Sequence, residues 1–190
     1  MKQTGNNMNR TGTYFAFDGL GQTDPSKSDF RYYAVVQGWD SSKSINFKFT
    51  DSHDKASAVR DTSKRTTLEA SIRKRLSGSK NMVVLISKDT RESGSMLSYE
   101  IEMAVDYYKL PLIIAYTEHK SILDVSSHSN EWPKSLRHRI SNDSTNAIHI
   151  PFKKEALFDA VRRFTVNGED IGGSRVHYDK QSQVSWGYIR

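Results

Sequence analysis

The apolar positions of this chain fall into two kinds of run. Three runs are short and almost continuous: "TYFAFDG" (residues 13–19), "NMVVLIS" (81–87) and "LPLIIAY" (110–116). The last two fit strands buried on both faces, and the first is a strand candidate that ends in an acid and a glycine. "INFKF" (45–49) alternates with period two and predicts a strand, and "AIHIPF" (147–152) predicts a short one. The second kind of run has helical spacing. "DFRYYAVVQGW" (29–39) places Phe30, Tyr33, Ala34 and Trp39 near one face. Leu68, Ile72 and Leu76 recur every fourth residue in a helix that Thr62 or Ser63 is placed to cap. A third helix starts near Ser95. A fourth, "KEALFDAVRRFT", gathers Ala156, Leu157, Ala160, Val161 and Phe164 on one face. Residues 117–145 are polar, with a short helix expected near 133–139.

Strand and helix thus alternate five times. This predicts an α/β fold, a doubly wound, flavodoxin-like, five-stranded parallel sheet flanked by helices. The polar residues 1–12 are expected to be disordered, 13–166 to form the domain, and 167–190 to form a loose extension or an appended hairpin. Such sheets bind ligands beyond the carboxyl ends of their strands, where the strand order reverses. The segments at that end are "FDGLG", "TDSHDKASAVRD", "SKDTRESGS" and the start of the third helix.

That third helix, in "SMLSYEIEMAVDYYKL", carries two glutamates. At about 100° per residue, Leu97, Ile101, Ala104, Val105 and Tyr108 share the face that packs on the sheet. Glu100 and Glu102 lie on opposite borders of it. Ser95, Ser98, Tyr99 and Asp106 keep the Glu102 side wet. Met96, Met103 and Tyr107 are helical neighbours of Glu100 and form an apolar collar. Of the two, Glu100 is the carboxylate placed to be partly desolvated and still reachable from the ligand end. A plain edge glutamate reaching water past two methionines is the other reading of the same spacing.

Composition narrows the picture. The chain has 190 residues, 36% hydrophobic, and a formal net charge of +6. This suits one domain with long polar loops. No run of about 18 apolar residues offers a membrane span. The first residues lack the apolar stretch of a signal peptide, so a cytoplasmic protein with no membrane partner is expected. There are no cysteines, which excludes disulfides, thiolate metal sites and a thiol nucleophile. Much of the positive charge lies in "RDTSKRTTLEASIRKRLSGSK" (60–80). A solvated helix face accounts for it, and nucleic acid is not the expected partner.

Three segments resemble the prokaryotic TIR-like domains, including those of Thoeris-type antiphage systems: "TYFAFDG", "DSHDKASAVRDTS" and "MLSYEIEMA". The resemblance spans roughly residues 13–164. It implies that Glu100 is the glutamate required, in active members, to cleave the glycosidic bond between nicotinamide and ribose in NAD. NAD would then be substrate, with no separate cofactor. Met96 stands where the family pattern commonly has Trp. By position, the loop after the second strand resembles the one that covers the substrate and mediates assembly. Among its residues Asp51, His53 and Arg60 are substrate-binding candidates, Arg60 for the pyrophosphate. Phe17, Asp18 and Gly19 end the first strand. Phe17 either stacks on a ring of the substrate or belongs to the core. The implied protein is an NAD glycohydrolase or ADP-ribosyl cyclase in antiphage defence. It is expected to be a homo-oligomer whose product activates a separate effector protein. The alternative is a catalytically inactive TIR-like scaffold that signals by self-association and partner binding.

Other chemistries find less support. The six histidines show no paired spacing of the zinc type, so no metal is expected. "GLG" (19–21) lacks the third glycine of a dinucleotide fingerprint, and neither GxxxxGK[ST] nor GxSxG occurs. The third strand ends in Ser87 and Lys88, without the acceptor aspartate of a phosphoacceptor receiver.

Overall fold

A computed structural model of the protein describes residues 10–19, 29–40, 49–50, 64–90 and 95–190. The elements run β1 (Gly12–Ala16), α1 (Phe30–Asp40), β2 (Phe49–Thr50), α2 (Lys64–Ser77), β3 (Ser79–Ile86) and α3 (Met96–Glu102). One π-helical turn, Met103–Tyr107, continues α3. Then come β4 (Leu112–Tyr116), a 3-10 turn (Ser126–Glu131), α4 (Lys134–Ser141), β5 (Ala147–Pro151), α5 (Lys154–Arg163), β6 (Val176–His177) and α6 (Lys180–Ser185). The strands pair in the order β2-β1-β3-β4-β5-β6, every pair parallel. The chain steps outward from β1 to β2 and returns past β1 to β3. The order therefore reverses between β1 and β3, as a doubly wound sheet requires.

Side chains alternate across the sheet, and each parity has its own core. Tyr14, Ala16, Met82, Val84, Ile86, Leu112, Ile114 and Tyr116 face α2, α3 and α4, meeting Ile72, Leu76, Leu97, Ile101, Leu136 and Ile140. Phe15, Phe17, Val83, Leu85, Ile113, Ala115, Ile148 and Ile150 face α1 and α5, meeting Val36, Ala156, Leu157, Ala160 and Val161. Burying a side chain such as Leu76, which is fully enclosed, contributes about 1.5–3 kcal/mol. Three polar residues, Ser79, Lys80 and Asn81, open β3. Asn81 accepts from Thr13 Oγ1 at 2.8 Å and donates to the carbonyls of Val161 and Phe164 at 3.0 and 2.8 Å. It thereby satisfies backbone acceptors at the end of α5 that the helix leaves unpaired.

Two expectations are corrected here. β1 begins at Gly12, inside the segment expected to be disordered, and Arg10 donates to the carbonyl of Tyr108 at 3.0 Å; residues 1–9 lie outside the described residues. The segment 167–190 is neither loose nor a hairpin. It supplies β6 and α6 and packs on the domain through Ile171 and Tyr178. Gln183, 1% exposed, holds it in place. Its side chain accepts from the Ile122 amide (3.0 Å) and donates to the carbonyls of Ile122 (2.7 Å) and Tyr178 (2.8 Å). The turn into this segment needs a glycine at 168, because a Cβ there would sit 2.3 Å from the Arg163 carbonyl oxygen. Most of the predicted strand 45–49, the caps Thr62 and Ser63, and the loop that carries Asp51, His53 and Arg60 lie outside the described residues.

Candidate functional site

The two glutamates of α3 separate as their helical angles predict. Leu97 and Ile101 are buried against the sheet, Glu100 is 7% exposed, and Glu102 faces solvent. Inside the protein Glu100 meets Tyr14 of β1, whose hydroxyl donates to Glu100 Oε1 at 2.6 Å. Tyr14 is fully buried. A short bond of this kind to a carboxylate is among the stronger neutral-to-charged hydrogen bonds and fixes the carboxylate's direction. Met96 and Met103, at helical spacing from Glu100, are half-buried and pack against the core on this side of the sheet. Tyr107, expected in the same collar, is 71% exposed. The π turn displaces it: Tyr108 N donates to Met103 O at 3.0 Å, a bond one residue longer than the α-helical one.

Where the strand order reverses, a second group of polar side chains is enclosed. Phe17 (6% exposed) and Asp18 (fully buried) follow β1, and Gly19 beyond them is exposed. Phe17 belongs to the core on the α1 and α5 side. Asp29, just before α1, is fully buried. Ser87, just after β3, donates to Asp29 Oδ2 at 2.9 Å, while Asp29 Oδ1 has no hydrogen-bond partner among the described residues. Burial pushes the Asp29 carboxyl up to about 6, with Ser87 and Arg31 opposing and the charge of Asp18 adding. Asp29 and Ser87 were not among the sequence candidates. An Asp that opens a helix reads as an ordinary cap in sequence, and only the meeting of β1, β3 and α1 reveals its burial.

A third polar chain lies on one face of the sheet, over β4 and β5. Trp132 Nε1 donates to the Tyr116 hydroxyl at 2.7 Å, which lies 2.7 Å from His149 Nδ1. His149 Nε2 lies 3.0 Å from the carbonyl oxygen of Ser174. A carbonyl only accepts, so Nε2 carries the proton and Nδ1 accepts from Tyr116. Burial holds His149 down at about 4, so the ring is neutral. At the opposite end of the sheet a cavity of about 510 Å³ opens between Lys109, Pro111, Thr145, Asn146, Val166 and Asp170. It is remote from the carboxyl-end residues described above.

A parallel sheet of order 2-1-3-4-5 makes this a doubly wound α/β domain, and with a buried glutamate on the helix after β3 it is consistent with a TIR-like fold. The family model described as "Thoeris protein ThsB, TIR-like domain" matches residues 14–122, and the chain belongs to that family. The matched span begins at Tyr14 and contains Glu100, so it covers both partners of the buried hydrogen bond. The family is one of antiphage defence. Among the described residues no helix is long and apolar enough to cross a membrane.

Proposed function

We propose that the protein is a TIR-type enzyme that cleaves NAD, with Glu100 as the catalytic carboxylate. The observation that carries this reading is the enclosed Glu100 side chain, held by Tyr14 at 2.6 Å. It stands on the helix that leaves the ligand end of β3. Breaking the bond between ribose C1′ and nicotinamide sends the electron pair out with neutral nicotinamide. Positive charge then develops on the ribose. A preoriented carboxylate in a site of low polarity stabilises that charge and accepts from ribose hydroxyls. Attack by water gives ADP-ribose; attack by a nucleophile of the same molecule gives a cyclic product. Gly19, exposed at the end of β1 behind the core residue Phe17 and the buried Asp18, and Met96, four residues before Glu100, are the proposed substrate contacts within the described residues; Asp51, His53 and Arg60 are proposed from the loop beyond them. The protein is proposed to act in the cytoplasm as a homo-oligomer, with its product activating a separate effector.

The test is NAD consumption, with product identification by mass spectrometry, in cells with and without phage challenge. The wild-type protein is expected to consume NAD under at least one condition. Glu100→Gln is expected to stay folded and lower turnover by about a hundredfold or more, the scale of losing one preorganised electrostatic group. Unchanged turnover in a folded Glu100→Gln protein would remove Glu100 from the chemistry. A second reading, a scaffold without catalysis, is favoured by Met96 in place of the usual Trp and by the low exposure of Glu100. It predicts NAD levels that do not move in either condition, and partner binding that is lost on changing residues 51–61.

A further inference from the structure

Beyond β4 the chain gathers three side chains that the function above does not use. His119 follows the strand, and His128 and Glu131 stand on the 3-10 turn Ser126–Glu131. Residues three apart eclipse on a 3-10 helix, so His128 and Glu131 point the same way, toward His119. Glu131 Oε1 lies 3.0 Å from His119 Nε2 and 2.8 Å from His128 Nδ1, and Oε2 lies 3.0 Å from His119 Nε2. All three ligand atoms fall within 4.8 Å of one another. We propose that His119, His128 and Glu131 bind a single divalent transition-metal ion of the zinc class.

The donor set decides the ion. Two imidazoles and one carboxylate, without sulfur, suit zinc and its neighbours; calcium and magnesium prefer oxygen alone. Around zinc, ligand bonds of about 2.0–2.2 Å at tetrahedral angles separate neighbouring ligand atoms by about 3.3–3.6 Å. The two carboxylate–imidazole separations here need outward movement of about half an ångström, and the two imidazole nitrogens, within 4.8 Å of each other, move together on binding. Three protein ligands leave the fourth position to water. The rings are already positioned: His119 and His128 lie 4.2 Å apart between centroids, and both rest on Tyr116, at 5.8 and 5.1 Å. Tyr116 is in turn held by Trp132. The side chains are 32%, 13% and 30% exposed, so an ion reaches them from solvent. Bound there, it ties the segment after β4 to the turn that precedes α4. The spacing H-x8-H-x2-E matches no common zinc pattern, and the 3-10 turn is what makes it a site.

The experiment uses the full, untagged chain stripped with a chelator. Zinc is titrated by calorimetry, cobalt(II) by visible absorption, and melting temperature is read with and without zinc. The expected result is one ion per chain, the absorption of tetrahedral cobalt, and a higher melting temperature with zinc. His119→Gln, His128→Gln and Glu131→Gln are each expected to weaken binding by at least about tenfold. His138→Gln, on an exposed surface position, is expected to leave it unchanged. His119 is the most exposed of the three, so its variant serves if another fails to fold. Absence of saturable binding to the wild-type chain overturns the proposal, as does binding that survives all three ligand changes. In that case Glu131 is simply a carboxylate shared by two imidazoles.

Discussion

Glu100 owes its direction to Tyr14, a residue 86 positions away in sequence. The hydroxyl fixes one carboxylate oxygen, and the side chain is 7% exposed, so little water reaches it. Tyr14→Phe removes only that hydroxyl. It is expected to lower kcat for NAD cleavage by about ten- to a hundredfold, from loss of a charge-assisted bond of roughly 1.5–3 kcal/mol. KM is expected to change little, which steady-state kinetics on the folded variant would show. Should the protein be a scaffold, the same variant would alter melting temperature alone. The difference between Glu100 and Glu102 was legible in the sequence, because helical rotation carries one of them inward. Tyr14 was not legible as its partner. Inside "TYFAFDG" it reads as one more core aromatic, and nothing local reveals which buried side chain its hydroxyl meets. The same limit hid Asp29 and Ser87, which are brought together by three separate elements.

Elements with a plain period were read closely. α1, α5 and the continuous apolar strands lie within a few residues of their expected positions; in α5 and the strands burial follows one-dimensional patterning, whereas in α1 Ala34, expected on the packed face, is exposed and Val36 is buried instead. Irregular elements were not. The π turn after α3 inserts one extra residue, roughly 100° of helical rotation. That is enough to move Tyr107 out of the line that a regular helix gives it. The polar stretch 117–145 hid a 3-10 turn, whose threefold period carries no hydrophobic signal. Residues 167–190 look polar and loose because their attachment runs through one glutamine and a few scattered aromatics. Gln183→Ala removes three hydrogen bonds and strands both backbone groups of Ile122. It is expected to cost about 2–4 kcal/mol, to be read as a lower midpoint in urea. Hydrogen exchange in β6 and α6 is expected to rise before that of β3.

Across the whole molecule, two buried groups place opposite pH dependences on stability. Asp29 is raised in the folded protein from 3.8 to about 6. The folded state therefore holds a proton that the unfolded chain has released, and stability falls as pH rises between those values. His149 is lowered from 6.5 to about 4. The unfolded chain then binds the extra proton, so this contribution is complete above 6.5 and is lost as pH falls toward 4. Asp29→Asn removes the first slope and leaves the second. Relative to wild type, the variant is expected to gain little near pH 4 and up to about 3 kcal/mol above pH 6. Chemical denaturation at several pH values would show the gain growing through that window; a pH-independent difference would show that the carboxyl does not titrate there.

The short strand β6 has a consequence for anyone who trims the protein. It covers only Ile148 and His149 of β5, yet it lies beyond the span that matches the family. A chain ended at 166 would present that border of the sheet as unpaired amides and carbonyls, a template on which other chains add strands. Such a fragment would clump through backbone pairing, and its clumping would be easy to mistake for the homo-oligomer proposed above.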